Sequence, residues 1–355
     1  MKRNGIISFW KFVFSIIIVI FHGAIFAKGN EIALFRGGYI GVEFFFIVSG
    51  VLLASSIIKV WDNDDNLGIE TWKFIWKKFT SFFPYVFLAF VFSFIFIFLF
   101  NNYSLHQLVS SIWGLFLLAE TGLKSVAVNI PVWYLSSMLL SMVIIYPLMR
   151  KFKMNYVYFF VPFIVLFGFG FMNQSYYKLD EMNLWLGFSY FTNIRAFVEL
   201  NLGILIYFIA NKIKDIKFTF IGRLSLTIIE FITYMIPIVI ALFVKNSYRY
   251  DYFLILLIAI GVCISFSEKT LEYKIFSNKL IFFLERLSLS VYLFHCISSK
   301  IIYYIGERIS IPYSTKISIH VLASLIIALI MLKIVEYLKK KNYFIDKFKY
   351  IFIEQ

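Results

Sequence analysis

Ten apolar runs, each long enough to cross a lipid bilayer, follow one another along this chain. Read with a window of about 19 residues, they fall at 6–27, 39–60, 79–101, 131–149, 155–172, 195–211, 221–244, 250–267, 287–305 and 316–338. A spanning helix needs about 20 such residues, because the hydrocarbon core is about 30 Å thick and each helical residue rises about 1.5 Å. Only 15% of the 355 residues are charged and 61% are hydrophobic; ordinary soluble domains carry roughly 25% charged residues, so this chain cannot clothe itself for water. Disorder fails on the same numbers, and 2 cysteines are too few for a disulfide scaffold. The expectation is an all-α integral membrane protein with about ten transmembrane helices, one domain over residues 1–355, with no loop long enough to fold alone. A shorter stretch at 105–120 repeats Leu105, Leu108, Ile112, Leu115 and Phe116 at helical spacing and is expected to be re-entrant or interfacial.

The net charge of +14 would suggest nucleic acid in a soluble protein. Its distribution argues for topology instead. With the N-terminus cytoplasmic and 105–120 not crossing, the inner segments hold 23 Lys and Arg and the outer segments 10, with Lys11 left inside the first run. That bias places both termini in the cytoplasm. Counting 105–120 as a span would move Arg150, Lys151 and Lys153 outside. No small-x-small site follows near Ala27, so the first run is expected to stay as an anchor. The expected location is the plasma (cytoplasmic) membrane, multi-pass; heavy use of Lys, Asn, Ile, Phe and Tyr fits an AT-rich bacterial genome. No nucleic-acid partner is expected, and no pattern fixes an oligomeric state.

Ionisable groups inside spans are costly and default to functional candidates. The first run holds Lys11 and His22, about three turns apart on one face with Ser15 and about 16 Å apart along the axis. Snorkelling would account for Lys11 and a packing hydrogen bond for His22. Glu43 enters the second run after Gly37, Gly38 and Gly41, at the depth of His22. A carboxylate accepting one imidazole proton would orient the ring and raise its basicity, which suits a general base; a structural partnership for Glu43, with Arg36 or another helix, is the plain alternative. Arg195 and Glu199 form an i,i+4 pair expected at the outer interface, with Asn201 nearby. His106 and His320 read as interface residues, Glu120 as a residue facing an outer cavity, and Asp62, Asp64 and Asp65 as a solvated turn. Cys263 and Cys296 lack metal-ligand spacing and imply no disulfide, so no metal is expected.

Asn4-Gly5-Ile6 through Lys11 to His22, followed by Gly41-Val42-Glu43-Phe44-Phe45-Phe46-Ile47-Val48-Ser49-Gly50, resembles the opening of the acyltransferase 3 family of multi-span membrane acyltransferases. The basic residue, ten positions, then His matches that family's first span. Pro131-Val132-Trp133-Tyr134-Leu135-Ser136 is similar to its segment before a middle span, and Leu287 through Tyr292-Leu293-Phe294-His295 to its late segment, so the likeness runs through nearly the whole chain. Two positions depart. Ser8 stands where the family often has Asp, and Ser81 stands where its inner-loop Arg-x-x-Arg has the second Arg, with Lys78 keeping the first charge.

The resemblance implies transfer of an acyl group, most often acetyl, from cytoplasmic acyl-CoA to a hydroxyl of an envelope or capsular polysaccharide or its lipid-linked precursor. His22 would be the base supported by Glu43. Lys11, Lys77 and Lys78 would meet the polyanionic donor, since ammonium groups bind phosphate as point charges. Ser49, Trp133 and Tyr134 are candidates for oxyanion or substrate contacts, as are Arg195 and His295 for substrate binding. No permanently bound cofactor is implied; acyl-CoA is a substrate. No Ser or Cys forms a nucleophile motif, which favours direct transfer. Two other classes compete. A lipid-linked oligosaccharide exporter would line its cavity with more mid-span cations. A polysaccharide polymerase would show a large outer loop with paired Arg, whereas the outer segments 102–131 and 173–194 carry one basic residue each, Lys124 and Lys178.

Overall fold

A computed structural model describes residues 3–27, 34–63, 66–100, 109–123, 128–176, 178–244, 246–271, 275–306 and 311–340. Among them the chain is helical, with helices α1 (Gly5–His22), α2 (Gly41–Ile58), α3 (Leu67–Phe100), α4 (Ile112–Leu115), α5 (Val132–Asn155), α6 (Val161–Ser175), α7 (Phe191–Asp215), α8 (Phe220–Phe243), α9 (Asp251–Ser267), α10 (Lys279–Gly306) and α11 (Tyr313–Lys340). Side chains that prefer helix starts cap them. Asn4 accepts from the Ile7 amide, Asn66 from those of Gly68 and Ile69, Thr219 from Gly222, and Asn278 from Ile281.

Nine helical segments among the described residues are long and apolar enough to span a membrane. One of them, Val132–Ser175, holds two of the ten expected runs. The chain turns inside it at Lys153, whose φ of 48° and ψ of −127° no helix tolerates. A π-helical turn, Tyr156–Phe160, then starts α6. Arg150 lies against the loop after α2, through the carbonyls of Trp61 and Asn63, while Gly168 packs on Val198 near the start of α7. The α6 segment therefore runs back along α7, and each of the ten expected runs is helical over most of its length among the described residues. Of the expected 105–120 helix, residues 105–108 lie outside the described residues, and the rest is helical at 109–110 and in the four-residue α4.

Two helices begin well before their apolar runs: α3 at Leu67 instead of 79, and α10 at Lys279 instead of 287. Hydropathy sees only the apolar part, whereas helical hydrogen bonding continues into polar sequence. At 34 residues, α3 is about 50 Å long, some 20 Å more than the hydrocarbon needs. These polar extensions bring Lys73, Lys77, Lys78, Glu285 and Arg286 to the end of the bundle that also carries Arg3 and Lys11, here termed the basic end.

Burial ranks the helices. The α2 segment is the innermost, with 78% of its apolar window buried within the protein, against 28% for α8. Its closest partner is α7, because Gly50 and Gly203 face each other: a Cβ on Gly50 would strike the Leu200 carbonyl, and one on Gly203 that of Ile47. The outer helices present Phe159, Leu166, Phe167, Ile221, Phe231 and Phe243 at 56–75% exposure, a surface suited only to lipid.

Candidate active site

Close packing of α2 on α7 brings Glu43 to Arg195, both essentially without solvent contact. The Arg195 Nε donates to Glu43 Oε2 at 3.0 Å, an Nη–H donates to Oε1, and the other Nη donates to the Leu179 carbonyl at 2.7 Å. Glu199 Oε1 lies 3.7 Å from the Arg195 Nε, and neither Glu199 oxygen has a hydrogen-bond partner. The guanidinium also lies 5.6 Å over the Trp133 ring. Here the structure departs from two expectations. Arg195 and Glu199 are a core group instead of an interfacial pair, and Glu43 is engaged by Arg195 instead of orienting His22. An apolar surround favours this outcome, since a bidentate guanidinium compensates a buried carboxylate far better than one neutral imidazole N–H does.

The ring beside His22 is His295, its centroid 4.7 Å away at an interplanar angle of 41°. The Nδ1 of His295 bonds the Tyr292 carbonyl at 2.7 Å. A carbonyl only accepts, so Nδ1 carries the proton and Nε2 is left as an acceptor. Cys296 Sγ is 3.4 Å from that Nε2. His320, expected at an interface, is fully buried, with Nε2 on the Val19 carbonyl at 3.0 Å and Nδ1 at the Ser298 hydroxyl at 2.8 Å. His106 lies outside the described residues.

Two cavities approach this centre from opposite ends. One, of about 250 Å³, is lined by His22, Tyr39, Trp133, Asp180, Arg195 and Tyr292. The other, of about 380 Å³, opens at the basic end. Its mouth carries Arg3, Lys11, Lys78, Arg286 and Lys339, with one acid, Glu285, and its deeper wall is Phe45, Ser49, Leu135, Met138, Tyr134 and Tyr292. Tyr292 belongs to both linings. Ser49 and Tyr134 bond each other at 3.1 Å, and the Tyr134 and Tyr292 rings lie 5.5 Å apart. Ser49, Trp133, Tyr134, Arg195, His22, Lys11 and Lys78 are thus gathered on the two cavities, and His295 sits directly behind His22. Lys77 is exposed and lines neither cavity.

Sequence reasoning missed Glu285 and Lys339, and both answer the two departures noted above. Glu285 Oε1 accepts from Lys11 Nζ at 2.7 Å and Oε2 from the Ser8 hydroxyl at 2.9 Å. The carboxylate that Asp at position 8 would place beside the first-span base therefore comes from α10. Lys339 Nζ donates to the Ser81 carbonyl at 3.2 Å, so α11 brings a cation beside Ser81, and both line the same cavity. An acid and a base standing side by side, Glu285-Arg286, just ahead of an apolar run was the available signal for the first. Nothing in the sequence near Lys339 singled it out for the second.

Beside the 250 Å³ cavity, and sharing Trp133 with it, a smaller hollow of about 90 Å³ is lined by Glu120, Asn129, Trp133 and Tyr190. Thr192 donates to Glu120 Oε2 at 2.5 Å, and burial pushes the Glu120 carboxyl up to about 7.

A match to the family model described as Acyltransferase domain spans residues 4–333. No curated protein and no solved structure matches the chain significantly. The span of the family match is nearly the whole chain, so the protein belongs to this acyltransferase family.

Proposed function

Starting from membership of that family, we propose that the protein moves an acyl group, most simply acetyl, from acyl-CoA to a hydroxyl of an envelope or capsular polysaccharide or its lipid-linked precursor. The observation that carries this is the pair of cavities sharing Tyr292. The basic end faces the cytoplasm in this reading, and both termini lie there, as the charge bias along the chain requires. Five cations at one mouth suit the phosphates of CoA. Behind them the deeper wall is mostly apolar, which suits a pantetheine arm carrying a thioester inward. The 250 Å³ cavity receives the carbohydrate beside His22, where Trp133 offers a ring face and Asp180 an acceptor for sugar hydroxyls.

His22 takes the proton of the acceptor hydroxyl as its oxygen attacks the thioester carbonyl. The tetrahedral oxyanion is met by the phenolic O–H groups of Tyr292 and Tyr134. Collapse expels the CoA thiolate, the His22 imidazolium returns the proton to it, and the products are an ester and CoA. Glu43 acts through Arg195, holding the guanidinium at the cavity wall. His295, with its tautomer fixed, supports the His22 ring.

The test measures ester-linked acyl groups on the surface polysaccharide in wild type, His22→Ala and a deletion strain at matched protein level. Loss of ester in both mutants with polymer unchanged is expected. Loss of the polymer in the deletion, with His22→Ala behaving as wild type, would instead indicate an exporter.

A further inference from the structure

The paired rings of His22 and His295 have a third neighbour that acyl transfer does not use. His22, His295 and Cys296 each offer one ligand atom, and the three atoms lie within 4.8 Å of one another. We propose that these side chains form a binding site for a divalent cation of the zinc class, and that its occupancy stops transfer by taking the lone pair of His22. The inhibitory half rests on the acyl-transfer reading above; the binding half does not.

Four observations support the site. The donor set is two imidazoles and one sulfur, which suits zinc and its borderline-soft neighbours and discriminates against magnesium and calcium, both of which demand oxygen. The His295 ring is already oriented as a metal-ligating imidazole is, with Nδ1–H committed to a backbone carbonyl and Nε2 3.4 Å from the Cys296 sulfur. Zinc–nitrogen and zinc–sulfur bonds of about 2.0 and 2.3 Å set tetrahedral ligand atoms about 3.3–3.8 Å apart. The Sγ–Nε2 pair is already at 3.4 Å, so closing the site takes about 1 Å of His22 ring motion. Finally, His22 lines the 250 Å³ cavity together with Asp180 and with Arg195, which is already paired to Glu43, so a cation can enter past Asp180 and water can supply the fourth ligand.

Binding converts the Cys296 thiol to a thiolate and releases one proton. With no metal, the thiol hydrogen faces the same Nε2 lone pair that the metal would take. Sequence spacing could not show this site, because His295 and Cys296 are adjacent and the third ligand comes from α1.

The test uses the full chain in lipid nanodiscs with Co²⁺ as the probe. A thiolate-to-cobalt charge-transfer band is expected, saturating at one ion per chain, displaced by Zn²⁺, lost in Cys296→Ser and kept in Cys263→Ser. No band in wild type, or an unchanged band in Cys296→Ser, overturns the site. Transfer is then titrated with Zn²⁺. Wild type is expected to be inhibited and restored by EDTA, while Cys296→Ser, active without metal, needs at least roughly tenfold more zinc. Equal sensitivity, or a rate that rises with zinc, overturns the switch. A wild type that binds cobalt yet shows no transfer either with or without zinc leaves the site standing and refutes the acyl-transfer reading instead.

Discussion

Removing Arg195 should cost far more stability than removing Glu43, although the two are partners. In Arg195→Gln, two carboxylates, Glu43 and Glu199, remain buried without a counter-ion. Breaking a buried pair this way costs about 3–5 kcal/mol. In Glu43→Gln the guanidinium keeps a replacement. Glu199 lies 3.7 Å from the Arg195 Nε with both oxygens unpartnered, and a small rotation brings it into hydrogen-bond range. The loss is then limited to the difference between two charge-assisted bonds and their substitutes, about 1–2 kcal/mol. Equilibrium unfolding of both variants in mixed micelles, with Glu199→Gln added to each, measures the asymmetry. In the Glu43→Gln/Glu199→Gln double variant the rescue is gone and the cost should approach that of Arg195→Gln. A Glu43→Gln variant as damaged as Arg195→Gln, or a double variant no worse than the single, would refute the view that Glu199 is a stand-by partner.

Further outcomes follow from other parts of the molecule. The Glu120 carboxyl, raised from 4.5 to about 7, favours folding below pH 4.5 and loses that contribution as pH rises through about 7, so the thermal midpoint should fall across this window. Glu120→Gln should flatten the fall, and a variant that keeps the wild-type slope would exonerate Glu120. Lys339→Ala should raise the donor KM roughly fivefold, about 1 kcal/mol, with kcat unchanged; Ser81→Arg in that background should recover it, and a kcat effect alone would refute the donor role. Gly50→Val meets the Leu200 backbone and should cost about 3 kcal/mol or more, whereas Gly170→Ala, with no atom within 4 Å of its Cβ, should fold normally.

The spans were legible because lipid makes hydropathy decisive: each of the ten runs is helical over most of its length among the described residues. Helix starts were less so, since charged residues interrupt the hydropathy there: Glu70, Lys73, Lys77 and Lys78 early in α3, and Lys279, Glu285 and Arg286 early in α10. The motif residues were legible as types and spacings. Their partnerships were not, because which helix packs against α2 depends on Gly50 meeting Gly203 across a long stretch of chain. That contact delivers Arg195 to Glu43 and leaves His22 to His295. Lys77 and Lys78 show the same limit at smaller scale: adjacent in sequence, they point about 100° apart on a helix, and only one reaches the cavity.

The shared wall at Tyr292 sets the thickness of the barrier. A bundle of this size would ordinarily hold two openings apart by the full depth of its apolar slab, and a group going from one to the other would have to be carried. Here the Tyr292 ring belongs to the walls of both. In the proposed reaction, a short substituent on a flexible arm would be handed across while the bulky head that delivered it stayed on its own side, so the two solutions would trade a covalent bond and remain insulated from each other's ions.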